Sequence, residues 1–113
     1  MRLRQLFTRR QARPRGGRAG ATDARYLADW ARARVGVEAY VEPETTVTPM
    51  TVVLVAADGE WTRRVVGGPT GARRLGEDLR IPVYDVRKTG YPQRMRDHDA
   101  RQKILRKRQA ARE

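Results

Sequence analysis

The run Thr51-Val52-Val53-Leu54-Val55-Ala56-Ala57 is almost entirely apolar, and Asp58-Gly59 follows it directly. A short apolar run closed by a turn signal reads as a strand covered on both faces. Asp-Gly is the cue for a two-residue type I′ hairpin, so residues 60–66 are expected to return as an antiparallel neighbour. Within Glu60-Trp61-Thr62-Arg63-Arg64-Val65-Val66, Trp61 and Val65 share a face. Arg63 lies between them and must snorkel or pair. The chain therefore needs a sheet, and it needs other elements to cover both faces of that sheet.

The flanking segments supply them. Val35-Gly36-Val37-Glu38-Ala39-Tyr40-Val41-Glu42 alternates with period two, with Val37, Ala39 and Val41 on one face and Glu38, Tyr40 and Glu42 on the other. Thr45-Thr46-Val47-Thr48 is β-prone, and Pro49 limits it to an edge or a bulge. Upstream, Thr22 is a candidate N-cap and Asp23 a first-turn acid. The helix they open would run to about residue 34 and turn Leu27, Trp30 and Ala31 inward. Residues 70–80 read as a second helix with Ala72, Leu75 and Leu79 inward, weakened at Gly76 by roughly 1 kcal/mol. Ile81-Pro82-Val83-Tyr84-Asp85-Val86 reads as a last strand, placed at an edge by Pro82. The order helix-strand-strand-strand-helix-strand predicts an α+β fold, a small two-layer sandwich. Its first three strands would form an antiparallel meander, and its last strand would return through a crossover helix.

Charge divides the chain differently. Residues 1–22 hold seven arginines and no acid, residues 23–86 hold eight arginines against ten acids, and residues 87–113 hold ten basic residues against three acids. The expected organisation is a flexible Arg-rich arm over residues 1–21, an α+β domain over 22–92 and a basic C-terminal helix over 93–113. In the arm, Leu3, Leu6 and Phe7 make a short amphipathic turn, and Arg13-Pro14-Arg15-Gly16-Gly17-Arg18 reads as linker. In the C-terminal segment, Asp97 with Arg101 and Asp99 with Lys103 are acid-first i, i+4 pairs. Met95, Ile104 and Leu105 form no sustained apolar stripe. Such a helix projects into solvent or lies on something charged.

Composition removes several chemistries. With no Cys and one His in the chain, thiolate metal sites, cysteine nucleophiles, a Ser-His-Asp triad and multi-histidine metal sites are all absent. The acids do not obviously replace them. Asp97-His98-Asp99 are adjacent, so on a helix they point in different directions and cannot converge on one ion. The element order is analogous to the core of restriction-endonuclease-like nucleases, which need an Asp on the second strand and a Glu-x-Lys on the third. Here the second strand offers only Val and Leu, and Glu60-Trp61-Thr62-Arg63 has neither the spacing nor the Lys. A catalytically empty relative of that fold is one alternative.

The stretches Val37-Glu38-Ala39-Tyr40-Val41-Glu42-Pro43, VVLVAADGEWTRR from Val52 and IPVYDVRKTGYPQRMR from Ile81 resemble a family of small basic proteins from high-GC actinobacteria. The resemblance spans about residues 23–97. Some members carry the label oxidoreductase, and the family implies no established activity and no catalytic residues. Gly67-Gly68-Pro69-Thr70-Gly71 lacks the third glycine and the spacing of a dinucleotide loop, and Asp85 does not stand where a ribose carboxylate would.

These readings predict no catalytic residue, no metal ligand and no cofactor. They predict a non-enzymatic, cytoplasmic nucleic-acid-binding accessory protein, RNA- or ribosome-associated, with DNA as a further candidate partner. The residues expected to grip phosphate are Arg9, Arg10, Arg13 and Arg15 in the arm. In and beside the C-terminal segment they are Arg94, Arg96, Arg101, Lys103, Arg106, Lys107 and Arg108. Tyr91 stands at the junction, open to packing or to stacking on a base. Trp30 and Trp61 read as core or sheet-face residues. A protein-interaction or membrane-surface adaptor, with Leu3, Leu6 and Phe7 on anionic lipid, is the other alternative.

Overall fold

A computed structural model describes residues 17–112, with side chains from residue 23 onward. Its elements are α1 (Gly17–Arg32), β1 (Glu38–Glu42), β2 (Thr51–Val55), β3 (Trp61–Val65), α2 (Gly68–Leu79), β4 (Val83–Asp85), α3 (Val86–Thr89) and α4 (Gln93–Arg112). The expected α+β class and element order hold. The four-stranded sheet runs β3-β2-β1-β4, with β1 antiparallel to β2, β2 antiparallel to β3, and β4 parallel to β1.

β2 is central because it can be covered on both sides. Val52, Leu54 and Ala56 face one core with Leu27, Trp30, Ala31, Val37, Ala39, Ala72 and Leu75. There α1 lies over β3 and α2 lies toward β4. Val53 and Val55 face the other side, where Tyr40 and Met95 complete a second, smaller cluster edged by Trp61 and Tyr91. The far face is thus partly covered by the first turns of α4, so α4 is at its start a third layer on the domain rather than a separate arm. Gly76, expected to weaken α2, has a packing reason: a Cβ there would lie 2.4 Å from Val83 Cγ2.

Four local readings change. α1 begins at Gly17, so Thr22 and Asp23 lie inside it rather than capping it, and its first turns occupy the stretch read as linker. Ala19 and Ala21 are strong helix formers, and once Leu27, Trp30 and Ala31 dock, extension costs little. The same helix stops at Arg32, and Arg34 turns back to donate Nη1 to the Trp30 carbonyl at 3.2 Å and Nη2 to Glu60 at 2.8 Å. Residues 45–48 form a turn, not an edge strand. The Thr45 hydroxyl accepts from the amides of Val47 and Thr48 at 3.2 and 3.0 Å, and this local bonding competes with a ladder.

The fourth change is at the hairpin. The Gly59 amide donates to Ala56 O at 2.9 Å and the Ala56 amide to Glu60 O at 2.8 Å, which makes a three-residue loop. Asp58 has negative φ while Gly59 takes φ +94°, so the turn is type I with a glycine bulge instead of type I′. The Asp58 carboxylate accepts from the Glu60 amide at 2.9 Å and holds the loop closed.

Candidate nucleic-acid interface

The residues expected to meet phosphate fall into three groups. Arg9, Arg10, Arg13 and Arg15 lie outside the described residues, as do Leu3, Leu6 and Phe7. Arg94 and Tyr91 are built into the domain. Arg96, Arg101, Lys103, Arg106, Lys107 and Arg108 are exposed on α4.

Arg94 corrects the reading of the basic segment as uniformly available. Its Nε donates to Ala56 O at 2.9 Å, and its Nη2 reaches Glu38 Oε1 at 2.8 Å and Val55 O at 3.3 Å. Glu38 also accepts from the Tyr40 hydroxyl at 2.9 Å. The alternation of β1 puts Glu38 and Tyr40 on the face that α4 covers, so the second residue of α4, Arg94, meets a carboxylate already in place. Tyr91 behaves similarly. Its hydroxyl donates to Glu42, and its ring edges the second cluster, so packing and not base stacking is its role here.

Glu42 gathers more than Tyr91. Arg63 donates to it through Nε at 2.7 Å and Nη2 at 2.9 Å, and the Thr51 hydroxyl donates at 2.6 Å. Arg63, exposed on the Trp61 face of β3, thus pairs bidentately, and its guanidinium also lies 5.2 Å from the Trp61 ring. Trp61 Nε1 donates to Asp99 at 2.8 Å, which ties β3 to α4, while Trp30 is buried in the first core. Asp97 accepts from Gln93 at 3.0 Å, so Asp97 and Asp99 do point apart.

Burial works against the charged forms of Glu38 and Glu42, but the hydrogen bonds from Arg94 and Tyr40 to the first, and from Arg63, Thr51 and Tyr91 to the second, hold both carboxyls below the usual 4.5. The Arg34 hydrogen bond lowers Glu60 in the same way. Asp23 runs opposite, raised above 3.8 by burial with Arg64 only partly offsetting it. A depressed carboxylate contributes stability that is intact above its unfolded pKa and is lost as pH falls through the folded value. With Asp85, lowered by its hydrogen bonds from Arg87, four lowered acids outnumber one raised acid. The melting temperature should therefore hold from neutral pH down to about 5 and fall increasingly below about 4.5. Glu42→Gln should lower the neutral-pH value and flatten the acid limb, and a melting temperature that rises below pH 4 would contradict this.

The acids that a nuclease reading would use are accounted for locally. Asp58 closes the hairpin, Glu60 pairs with Arg34, and β2 carries no acid. Among the described residues no group of three or more His, Cys, Asp or Glu gathers where it could hold a metal ion. No described helix is long and apolar enough to cross a membrane. An open groove of about 510 Å³ lies between α2 and the β4 edge, lined by Val41, Met50, Ala72, Ile81, Val83 and Tyr84. Sequence periodicity gave no sign of it, because it arises from the close approach of α2 at Gly76.

Beyond Arg101, α4 leaves the domain. Every residue from 102 to 112 is exposed. Arg101 still touches the hairpin, donating to Asp58 O at 3.1 Å. Lys103, Arg106, Lys107, Arg108 and Arg112 make no ion pair among the described residues. Arginine and lysine in this setting are available to phosphate: the guanidinium offers a planar fork for two oxygens, the ammonium a compact point charge. No protein-family model, curated protein or solved structure matches the chain.

Proposed function

We propose that this chain is a non-enzymatic nucleic-acid-binding accessory protein of the cytosol, which grips phosphate through α4 and through the arginines of residues 1–21. One observation carries the reading: five basic side chains stand on the exposed last eleven residues of α4, from 102 to 112, with no acid among them. Elsewhere the described cations are mixed: Arg25, Arg73, Arg74, Arg80, Lys88 and Arg96 make no ion pair with a described acid. Arg34, Arg63, Arg64, Arg87 and Arg94 each have a carboxylate partner. What sets α4 apart is that five cations with no ion pair among the described residues stand together on a projecting helix, which suits an external polyanion. RNA or the ribosome is the target that Arg-rich segments suggest. What α4 itself supports is phosphate recognition without a base-reading motif.

The test is the salt dependence of binding by the full chain to labelled RNA and DNA. The five cations of α4 alone correspond to a slope near −4 in log affinity against log salt, or about two orders of magnitude lost between 50 and 200 mM, and phosphates met by the arginines of residues 1–21 steepen it. A flat response overturns the reading.

A further inference from the structure

Six of the eight cations of α4 fall on two lines along it, while Arg94 bonds into the domain and Arg106 stands apart on the far side. At 100° per residue, Arg96, Lys103 and Lys107 fall on one line at i, i+7 and i+11. Arg101, Arg108 and Arg112 fall on a second line with the same spacing. Between the two lines, on the side away from the domain, runs a seam of Ala100, Ile104 and Ala111, all exposed, with Ile104 at 50%. The first line lies about 60° and the second about 80° from the middle of that seam, with Asp97 between the seam and the second line. The domain covers the opposite side of the helix, where Met95 is buried, and meets the second line at its start, where Arg94, at the azimuth of Arg112, and Arg101 donate to Ala56 O and Asp58 O. Beyond Arg101, α4 thus shows a narrow apolar strip outward with positive charge on both sides of it.

We propose that α4 lies in the major groove of duplex DNA, with Ala100, Ile104 and Ala111 toward the base edges and one cationic line against each phosphate backbone. This rests on the phosphate reading above, and for α4 it names duplex DNA rather than RNA as the polyanion. A helix meeting a single strand or a flat anionic surface would need its charge on one face. Two lines on either side of an apolar strip match two walls of phosphate with a floor between them. A helix with its side chains is about 10–12 Å across, and the B-form major groove is about 12 Å wide. The A-form major groove of duplex RNA is too narrow and deep for it. The small strip permits close approach, and the Ile104 side chain is apolar, as contact with a thymine methyl requires. From Arg96 to Arg112 the helix covers about 24 Å, enough to follow the groove for about seven base pairs.

The experiment measures binding of the full chain by fluorescence anisotropy to a 20-base-pair DNA duplex, to the same sequence as duplex RNA, and to each single strand. Duplex DNA should bind at least about tenfold tighter than the others. Lys103→Gln with Lys107→Gln, and separately Arg108→Gln with Arg112→Gln, should each lower the salt slope by about two. Ile104→Asp, which places a negative charge at the floor, should weaken binding at least about tenfold. All five positions concerned are exposed, and an unchanged melting curve for each variant shows that folding is not the cause. Equal or tighter binding to single strands or to duplex RNA, dependence on one line alone, or indifference to Ile104→Asp overturns the groove proposal while leaving phosphate recognition standing. A chain that binds no nucleic acid, or binds it without salt dependence, overturns both.

Discussion

Gly59→Ala should destabilise the protein by about 3 kcal/mol, lowering the melting temperature by about 15 °C, and should loosen α4 from the sheet. Two separate causes add. Gly59 takes φ +94°, which an L side chain adopts only with strain of roughly 1–3 kcal/mol. A Cβ there would also lie 2.0 Å from Arg94 O and 2.8 Å from His98 Cβ, so the backbone of α4 would have to retreat. That retreat would uncover Met95 and lengthen the bonds Arg94 makes to Ala56 and Val55. Gly59→Asn separates the causes. Asparagine tolerates left-handed backbone better than alanine but carries the same Cβ. If the approach of α4 dominates, Asn is as damaging as Ala in thermal melts. If Asn restores most of the stability, the crossing of α4 over the hairpin is looser than described.

That crossing also marks the limit of what periodicity reveals. The sheet was legible because each strand carries its own signal: the β2 run is apolar throughout, and β1 alternates so that Val37, Ala39 and Val41 meet one core and Tyr40 the other. The span of α4 was legible from its propensities, and its outer half projects as a stripe-less polar helix should. The docking of its inner half was not. Met95 is one apolar residue in a polar segment, and one residue makes no period. The anchors are instead polar: Arg94 to Glu38, Trp61 to Asp99, Tyr91 to Glu42. Nothing in a charge tally distinguishes an arginine that will meet a carboxylate from one that will meet a phosphate. The acids facing out from β1 were the available hint, because a half-buried Glu on a sheet face needs a partner from whatever covers it. The turn at residues 57–59 was misread for a similar reason: Asp-Gly suits both type I′ and the bulged type I loop, and loop length is set by strand register.

Arg94→Ala should cost about 2 kcal/mol of stability and leave the salt slope of nucleic-acid binding unchanged. Arg108→Ala should do the reverse, lowering the slope by about one with no change in melting. The two residues have the same chemistry on the same helix and differ only in surroundings. Removing Arg94 strands the Glu38 carboxylate and two main-chain oxygens at the edge of the second cluster, with the remaining Tyr40 bond too little to replace it. Because the pair is about 30% exposed, water compensates part of that loss, which keeps the cost below that of a fully buried pair. Arg108 is exposed and has no ion-pair partner among the described residues, so its truncation removes only a contact made in the complex. Arg94→Ala weakens affinity to the extent that α4 swings free, yet the number of phosphates neutralised at saturation stays the same, and it is that number the slope counts. Arg94→Lys should recover part of the stability, since an ammonium can reach Glu38 but cannot span it and Ala56 O together as the guanidinium does. Should Arg94→Ala instead reduce the slope and spare the fold, the start of α4 belongs to the nucleic-acid interface and not to the domain that presents it.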